Sequence, residues 1–314
     1  MTRPRLSHRI EYSLLVSLAA LVVCLPETIA YGLGTALGWI AGSLLQIRRS
    51  VVQENLARAF PQRSDRWRRG VADAAYRHFA HEAVSLLRFS RMSAEDIRSR
   101  CEVEGLDLLR EPIEGGRGVI CLAGHFGNWE VAALSMTCRG IPLAALARRQ
   151  RNPLFDEYVK RVRDGLGIQG IAQSDATLGI IRSLSEPRVV GILADQNYAG
   201  KGIFVDFFGV PASTARGPGV IALRAGVPVM FADPRRLPGR KARYMVRFSP
   251  IVFHSTDDVQ ENVRCITRAY LARLEDVVRE SPEQYFWFHK RWKTRPPPSE
   301  PGISAAVADA AQNT

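Results

Sequence analysis

Between Ser13 and Leu45 the only charged residue is Glu27. Pro26-Glu27 divides this apolar run into Ser13–Leu25 and Thr28–Ile47. A helix over the first segment reaches about 20 Å, short of the roughly 30 Å hydrocarbon core of a bilayer. The second is long enough to span alone. Arg3, Arg5 and Arg9 precede the run, and Arg48 and Arg49 follow it. A single span keeps only one basic flank in the cytosol, so two basic flanks fit a re-entrant hairpin or an interfacial anchor better. A cleaved signal peptide would have a shorter apolar core and a small-residue cleavage site. Residues 1–49 therefore read as a membrane anchor, with the spanning and hairpin forms both open. The glycines of Gly32-Leu-Gly34-Thr-Ala-Leu-Gly38 lack the preceding strand and the final spacing of a dinucleotide loop. They read instead as small residues for close helix packing.

Beyond the anchor the period is helical from Val51 to Arg91. Pro61 interrupts it and Ser64 is placed to cap the second helix. Val71, Ala75, Phe79 and Leu86 mark its apolar face, and His78 and His81 read as packing side chains because no third metal ligand lies near. From Cys101 the texture changes to short apolar runs alternating with helical stretches. Strands are expected at Cys101–Glu104, Gly118–Ala123, Pro142–Ala147, Val189–Leu193, Val227–Ala232 and Tyr244–Phe248, the last leading to Ile251-Val252. Helices are expected at Trp129–Cys138, Pro153–Leu166, Ala176–Leu184, Thr214–Ala225 and Asp258–Ser281. This alternation predicts an α/β fold with a mixed, largely parallel sheet flanked by helices. Residues 50–295 form that domain, and the proline-led polar stretch 296–314 reads as a disordered tail.

Composition narrows the function classes. The 314 residues are 46% hydrophobic and 24% charged, values of an ordinary folded protein. The mean hydropathy of −0.09 excludes a multi-span transporter. Forty-three Lys and Arg against 31 Asp and Glu give a net charge of +12. That surplus favours anionic partners: nucleic acid, anionic lipid or an acidic protein. No zinc-finger, RNP or helix-turn-helix signature supports nucleic acid. The five cysteines are scattered with no CxxC pair, so neither a disulfide framework nor a structural zinc site is expected.

The sharpest local pattern is Gly118-Val-Ile-Cys-Leu-Ala-Gly-His125-Phe-Gly-Asn-Trp-Glu130. An apolar strand runs into a glycine-rich turn, and Asn128 is placed to cap the helix that follows. His125 falls at the carboxyl end of the strand, where open α/β sheets place their sites. Glu130, in the first helical turn, is held ionised by the positive helix end. A His with a carboxylate five residues on can form a dyad in which the carboxylate fixes the tautomer and the imidazole takes a proton from an incoming hydroxyl. No serine or cysteine is placed as a nucleophile, since Cys121 lies within the strand, so the hydroxyl belongs to a substrate.

Further motifs accompany this one. They are Asn55-Leu-Ala-Arg-Ala-Phe-Pro61, Arg148…Asn152-Pro153…Arg163, Ala194-Asp195-Gln196-Asn197, Phe207-Phe208-Gly209-Val-Pro211 and a closing block from Pro282 to Pro296 rich in aromatic and basic residues. In this order, over about residues 10 to 298, they resemble the bacterial lipid A biosynthesis (lauroyl/myristoyl) acyltransferases, within the HxxxxD/E glycerolipid-type acyltransferases. The resemblance implies an enzyme that moves a fatty acyl chain from an acyl carrier protein or coenzyme A thioester to a hydroxyl of a lipid A precursor. It implies His125 as general base with Glu130 as its orienting partner, and substrate contacts at Arg148, Arg163 and Asp195. Gln196 and Arg291, in the flanking motifs, join these as substrate-binding candidates. Glu rather than Asp is usual in this branch. The Asp195-Gln-Asn form also occurs in phosphatidylinositol-mannoside acyltransferases, so an alternative acceptor is another membrane lipid, such as that mannoside, an aminolipid or a lysophospholipid. The oxyanion donors expected are amides of the Gly124–Gly127 turn or an arginine. No cofactor or metal is implied. The implied setting is lipopolysaccharide biosynthesis at the inner membrane, with the catalytic domain on the cytoplasmic face and acyl carrier protein as partner. Four other placements accompany this reading. Arg148 to Arg151 would contact phosphate, Asp195 would sit at a strand end, Thr214 would cap a helix, and Phe286 to Lys293 would form a site rim or membrane interface.

Overall fold

A computed structural model describes residues 5–147, 150–200 and 202–297. Arg148 and the tail from residue 298 lie outside the described residues. The apolar start forms α1 (Leu6–Cys24) and α2 (Glu27–Trp39), broken at Pro26 as its missing N–H requires. Helix α1 begins before Ser13, because Arg9 and Glu11 occupy exposed positions where charge does not oppose helix formation. A π-helical turn, Ile40–Leu44, extends α2. Gln46 and Arg48 then adopt positive φ of 49° and 55°, and the chain turns by 90° into α3 (Arg49–Ala59). Helix α4 (Asp65–Phe89) starts where Ser64 Oγ accepts the Trp67 N–H at 3.3 Å.

Glycines bring α2 onto α4. A Cβ at Gly34 would lie 2.5 Å from the His81 ring, at Gly38 2.6 Å from the Arg77 Cα, and at Gly42 2.6 Å from the Tyr76 ring. Spaced four apart, they form one helix face, and any larger residue there would push the helices apart. His81 completes the contact, stacking on Tyr31 with ring centroids 4.1 Å apart and bonding the Thr35 hydroxyl at 3.0 Å.

The remaining chain runs α5 (Ala94–Arg100), β1 (Cys101–Glu104), α6 (Asp107–Glu114), β2 (Val119–Ala123), α7 (Trp129–Thr137), β3 (Leu143–Ala147), α8 (Pro153–Gly165), β4 (Ile168–Ala172), α9 (Ala176–Leu184), β5 (Val189–Leu193), β6 (Ile203–Phe207), β7 (Val210–Thr214), α10 (Gly217–Ala225), β8 (Val229–Arg236), β9 (Tyr244–Pro250) and α11 (Val259–Glu280). Seven strands form one sheet in the order β1-β9-β8-β2-β5-β3-β4, parallel throughout except between β8 and β9. This is the mixed, largely parallel α/β sheet expected, with all six expected strands in place. Edge strand β4 escaped the pattern because Gln169 and Gly170 break its apolar run. β6 and β7 make a separate hairpin whose two-residue turn, Phe208-Gly209, has φ of 55° and 71°, as a tight hairpin turn requires. Thr214 ends β7, so it does not cap the next helix, which begins at Gly217.

Strand β2 shows why the sheet is covered on both faces. Val119, Cys121 and Ala123 pack with Val131, Ala132 and Leu134 of α7, while Ile120 and Leu122 share the other core with Leu271 and Leu274 of α11. Every residue of β2 is buried, so this strand reads as a continuous apolar run.

Candidate active site

Sheet register builds the site. β2 and β5 are parallel neighbours with Ala123 opposite Leu193. Two residues further along each strand stand His125 and Asp195. The connection from β2 passes through α7 to β3 on one side, and that from β5 leads through α10 to β8 on the other. The carboxyl ends of β2 and β5 thus flank a switch point, where such sheets bind ligands. The His125 Nδ1–H donates to Asp195 Oδ1 at 2.7 Å, and the His125 backbone N–H donates to Asp195 Oδ2 at 2.9 Å.

This pairing fixes the chemistry of both groups. Burial works against the charged imidazolium, but the charge and hydrogen bond of Asp195 outweigh it, so the His125 pKa lies above its ordinary value of 6.5. Burial likewise pushes the Asp195 carboxyl up. The neighbouring His125, its two hydrogen bonds and the Arg291 charge outweigh that and hold the pKa below 3.8. With Nδ1 committed to Asp195, Nε2 is the basic atom and faces Gln196, whose Nε2 lies 3.3 Å away.

Glu130 stands elsewhere. The sequence pairs it with His125, but its carboxylate forms an ion pair with Arg163 of α8, and the carboxylate on the His125 ring is Asp195. The physical reason is register: the parallel pairing of β2 with β5 sets Asp195 beside the imidazole. Asp195 and Gln196 thus meet His125, while Arg163 meets Glu130. Arg291, expected to contact substrate, is only 2% exposed. It donates to the Ser213 carbonyl and the Thr214 hydroxyl, both at 2.7 Å, holding β7 while balancing the buried Asp195 charge.

The turn carrying His125 is fastened at His125, Gly127 and Asn128. Gly127 has φ of +55°, and a Cβ there would fall 1.6 Å from the Pro234 carbonyl oxygen. Its N–H donates to the Gln284 carbonyl at 2.8 Å, the Asn128 N–H donates to Pro234 at 3.1 Å, and His125 O accepts from Phe286 N at 2.8 Å. The amides of His125, Gly127 and Asn128 are therefore already committed. Asn128 caps α7 through Oδ1, which accepts the Val131 N–H at 3.1 Å, and its Nδ2 donates to Glu82 Oε2 at 2.6 Å. Glu82 also accepts from the Tyr244 hydroxyl at 2.7 Å and from Arg236 at 3.0 Å. His78 Nε2 donates to the Gly127 carbonyl at 3.3 Å. Sequence reasoning missed Glu82. The available signal was a carboxylate on the apolar face marked by Phe79 and Leu86.

Aromatic rings line the mouth. Trp129 meets His125 edge-on at 4.9 Å between centroids, Phe286 lies 5.9 Å away, and Phe79 contacts Trp129, Phe286 and Phe288. The closing aromatic-basic block alternates between two environments. Phe286 stays half-buried at the site, while Trp287 and Trp292 enter the core. It is thus a site wall backed by core. Asn55 of the early motif holds it, donating to the carbonyls of Trp287 at 2.7 Å and His289 at 2.6 Å. Motifs far apart in sequence therefore close around one imidazole.

The sequence as a whole matches a family model described as bacterial lipid A biosynthesis acyltransferase over residues 2–294. It is 27% identical to the lipid A biosynthesis lauroyltransferase of Escherichia coli strain K12, over 88% of this chain and 89% of that protein. It is 28% identical to the palmitoleoyltransferase of the same strain, over 87% and 88% of the two chains. Identity to its myristoyltransferase is also 28%, over 83% and 80%. The family match covers the first helices, the sheet and the closing aromatic block alike, and the chain belongs to the bacterial lipid A biosynthesis acyltransferase family.

Proposed function

We propose that the chain transfers a fatty acyl group from an acyl carrier protein or coenzyme A thioester to a hydroxyl of a lipid A precursor, with His125 as base and Asp195 as its orienting partner. The carrying observation is the 2.7 Å bond from His125 Nδ1 to a buried carboxylate at the paired ends of β2 and β5. The acceptor hydroxyl takes the position before Nε2 that Gln196 now faces. Nε2 removes its proton as the oxygen attacks the thioester carbonyl, and Asp195 stabilises the imidazolium. The C–O bond forms, negative charge collects on the former carbonyl oxygen, and a fixed cation or amide must meet it. With three turn amides committed, Arg163, held by Glu130, is the group we assign to that charge. The C–S bond then breaks and the leaving thiolate regains the proton from His125. The step balances without a cofactor, metal or redox partner. The half-buried rings of Phe79, Trp129 and Phe286 suit an acyl chain. The net charge of +12 suits an acidic carrier protein and anionic headgroups, and the apolar first helices suit the inner membrane with the catalytic domain on its cytoplasmic face.

The test is an acyl-transfer assay in detergent with acyl carrier protein and coenzyme A thioesters, offering a tetra-acylated lipid A precursor or total membrane lipid, read by mass spectrometry. One added acyl chain on the precursor, lost in His125→Ala, supports the reading. Addition only to another lipid keeps the chemistry and replaces the acceptor. No transfer by folded protein refutes the proposal.

A further inference from the structure

Helix α1, 19 residues and largely apolar, is long and apolar enough to cross a membrane. Its tethers give it another geometry. Near its start, Asn152 at the head of α8 donates from Nδ2 to the His8 carbonyl at 2.9 Å and to Glu11 Oε2 at 3.0 Å. One turn on, Tyr12 packs edge-on against Tyr158 of α8, with centroids 6.3 Å apart. At its end, Arg88 of α4 donates to the carbonyls of Val22 at 2.7 Å and Leu25 at 2.6 Å, satisfying acceptors that the Pro26 break leaves open. The two tethers lie about 20 Å apart along the helix. Both belong to the domain that carries the sheet. A helix crossing a bilayer would put its ends on opposite sides, and one folded domain cannot reach both.

The surface of α1 is divided to match. Tyr12, Ala19 and Val22 face the protein, whereas Leu6, Ile10, Leu14, Leu18 and Leu21 are exposed at helical spacing. Trp39, Leu44, Leu45 and Ile47 continue the exposed apolar surface beyond α2. Arg5, Arg9 and Arg48 are exposed at its edges. A largely apolar stripe, interrupted only by the small Ser7 and Ser17, with Arg5 and Arg9 along one margin and Glu11 at the other, matches one leaflet: acyl chains beneath, headgroups at the rim.

We infer that α1 lies in the plane of the membrane, its Leu6-Ile10-Leu14-Leu18-Leu21 stripe immersed in a single leaflet, and that the chain is held on one face without crossing. α4 then sits between the anchor and the site: Gly34, Gly38 and Gly42 of the α2 segment rest on it, and Phe79 on it reaches the rings around His125. The site thereby opens one helix away from the lipid that supplies its acceptor. That link rests on the proposed function, but the membrane geometry does not.

The test uses the full chain in sealed inside-out inner-membrane vesicles, in a Cys24→Ser, Cys138→Ser, Cys265→Ser background. Arg5→Cys and Thr28→Cys, both at exposed positions flanking α1, are treated separately with an impermeant maleimide. Equal labelling of both without detergent is expected. Labelling of only one until detergent is added places the ends on opposite sides and overturns the inference. Spin labels at Leu6, Leu14 and Leu21 should report the same depth, whereas a span would place Leu14 about 10 Å deeper than the other two. Leu14→Glu with Leu18→Glu, both outward-facing, should weaken vesicle binding at least about tenfold without loss of secondary structure. Unchanged vesicle binding, or a shift from dimer to monomer in detergent, would show the stripe covered by protein and refute the lipid assignment. None of these readouts needs acyl transfer, so they stand apart from the activity assay.

Discussion

Replacing Asp195 by Asn tests which carboxylate governs His125. Asp195 is 1% exposed and accepts two bonds from one residue, the His125 Nδ1–H at 2.7 Å and the backbone N–H at 2.9 Å. Asn has nearly the same shape but only one accepting atom. If its oxygen keeps the backbone N–H, its amide faces Nδ1, the imidazole must accept there, and the proton moves to Nε2, the atom required to act as base. The equivalent tautomer trap in serine proteases costs about 10⁴ in kcat, and a loss of about 10³–10⁴ is expected here. The pH profile supplies a second readout. His125 acts deprotonated, so activity falls as pH drops through its pKa, which Asp195 raises above 6.5. Without the carboxylate, burial alone remains and lowers the pKa, so the acid limb of residual activity should move to lower pH. Stability follows the same linkage. Asp195, with its pKa depressed, stabilises above its unfolded value near 3.8, and loses that contribution as pH falls through the folded value. His125, with its pKa raised, stabilises below 6.5, and loses that contribution as pH rises through the folded value. The destabilisation by Asp195→Asn should therefore be largest between about pH 4 and 6.5, approaching the roughly 3–5 kcal/mol seen when one partner of a buried pair is removed. Single-turnover acyl transfer across pH, with denaturant titrations at pH 5.5 and 8.5, checks both. A folded Asp195→Asn enzyme with more than a tenth of the parent rate and an unmoved acid limb would refute the assignment, decisively so if Glu130→Gln moved the limb instead.

Three other substitutions separate the remaining roles. Glu130→Gln should lower kcat about 10²-fold by loosening Arg163, while leaving the acid limb in place, since Glu130 bonds Arg163 and not the imidazole. Gly127→Ala should destabilise by more than about 3 kcal/mol, because positive φ and the Pro234 carbonyl both exclude a Cβ; thermal unfolding measures this. Arg291→Met should cost stability and lower the His125–Asp195 pair's activity while sparing KM for either substrate, because the guanidinium is buried against β7; a matching rise in KM would restore it as a substrate contact.

Much of the fold was legible in local pattern. The six apolar runs became strands of one sheet because a strand covered on both faces needs consecutive apolar residues, and β2 and β5 show this directly. The break at Pro26, the Ser64 and Asn128 caps and the tight turn at Gly127 follow from single-residue stereochemistry, which neighbours cannot alter. So does the prominence of His125, a polar residue set where a buried strand ends. Glycines 34 and 38 marked close packing, though the surface they meet is α4.

Partnership was not legible. Spacing along the chain favoured Glu130 for the imidazole, five residues away. The choice fell to Asp195, seventy residues on, because Ala123 and Leu193 stand opposite each other in neighbouring parallel strands. Glu82 met Asn128, and Asn55 met the closing aromatic block, through contacts between elements that no local period encodes. The N-terminal run divides in the same way. Hydropathy marked residues 13–47 as apolar but for Glu27. Only the bonds from Asn152 and Arg88 decided that α1 lies along the protein, because they hold both of its ends to the domain that carries the sheet. Sequence sets what each segment prefers at its own length scale, while register and packing across the sheet decide which of the compatible side chains come together.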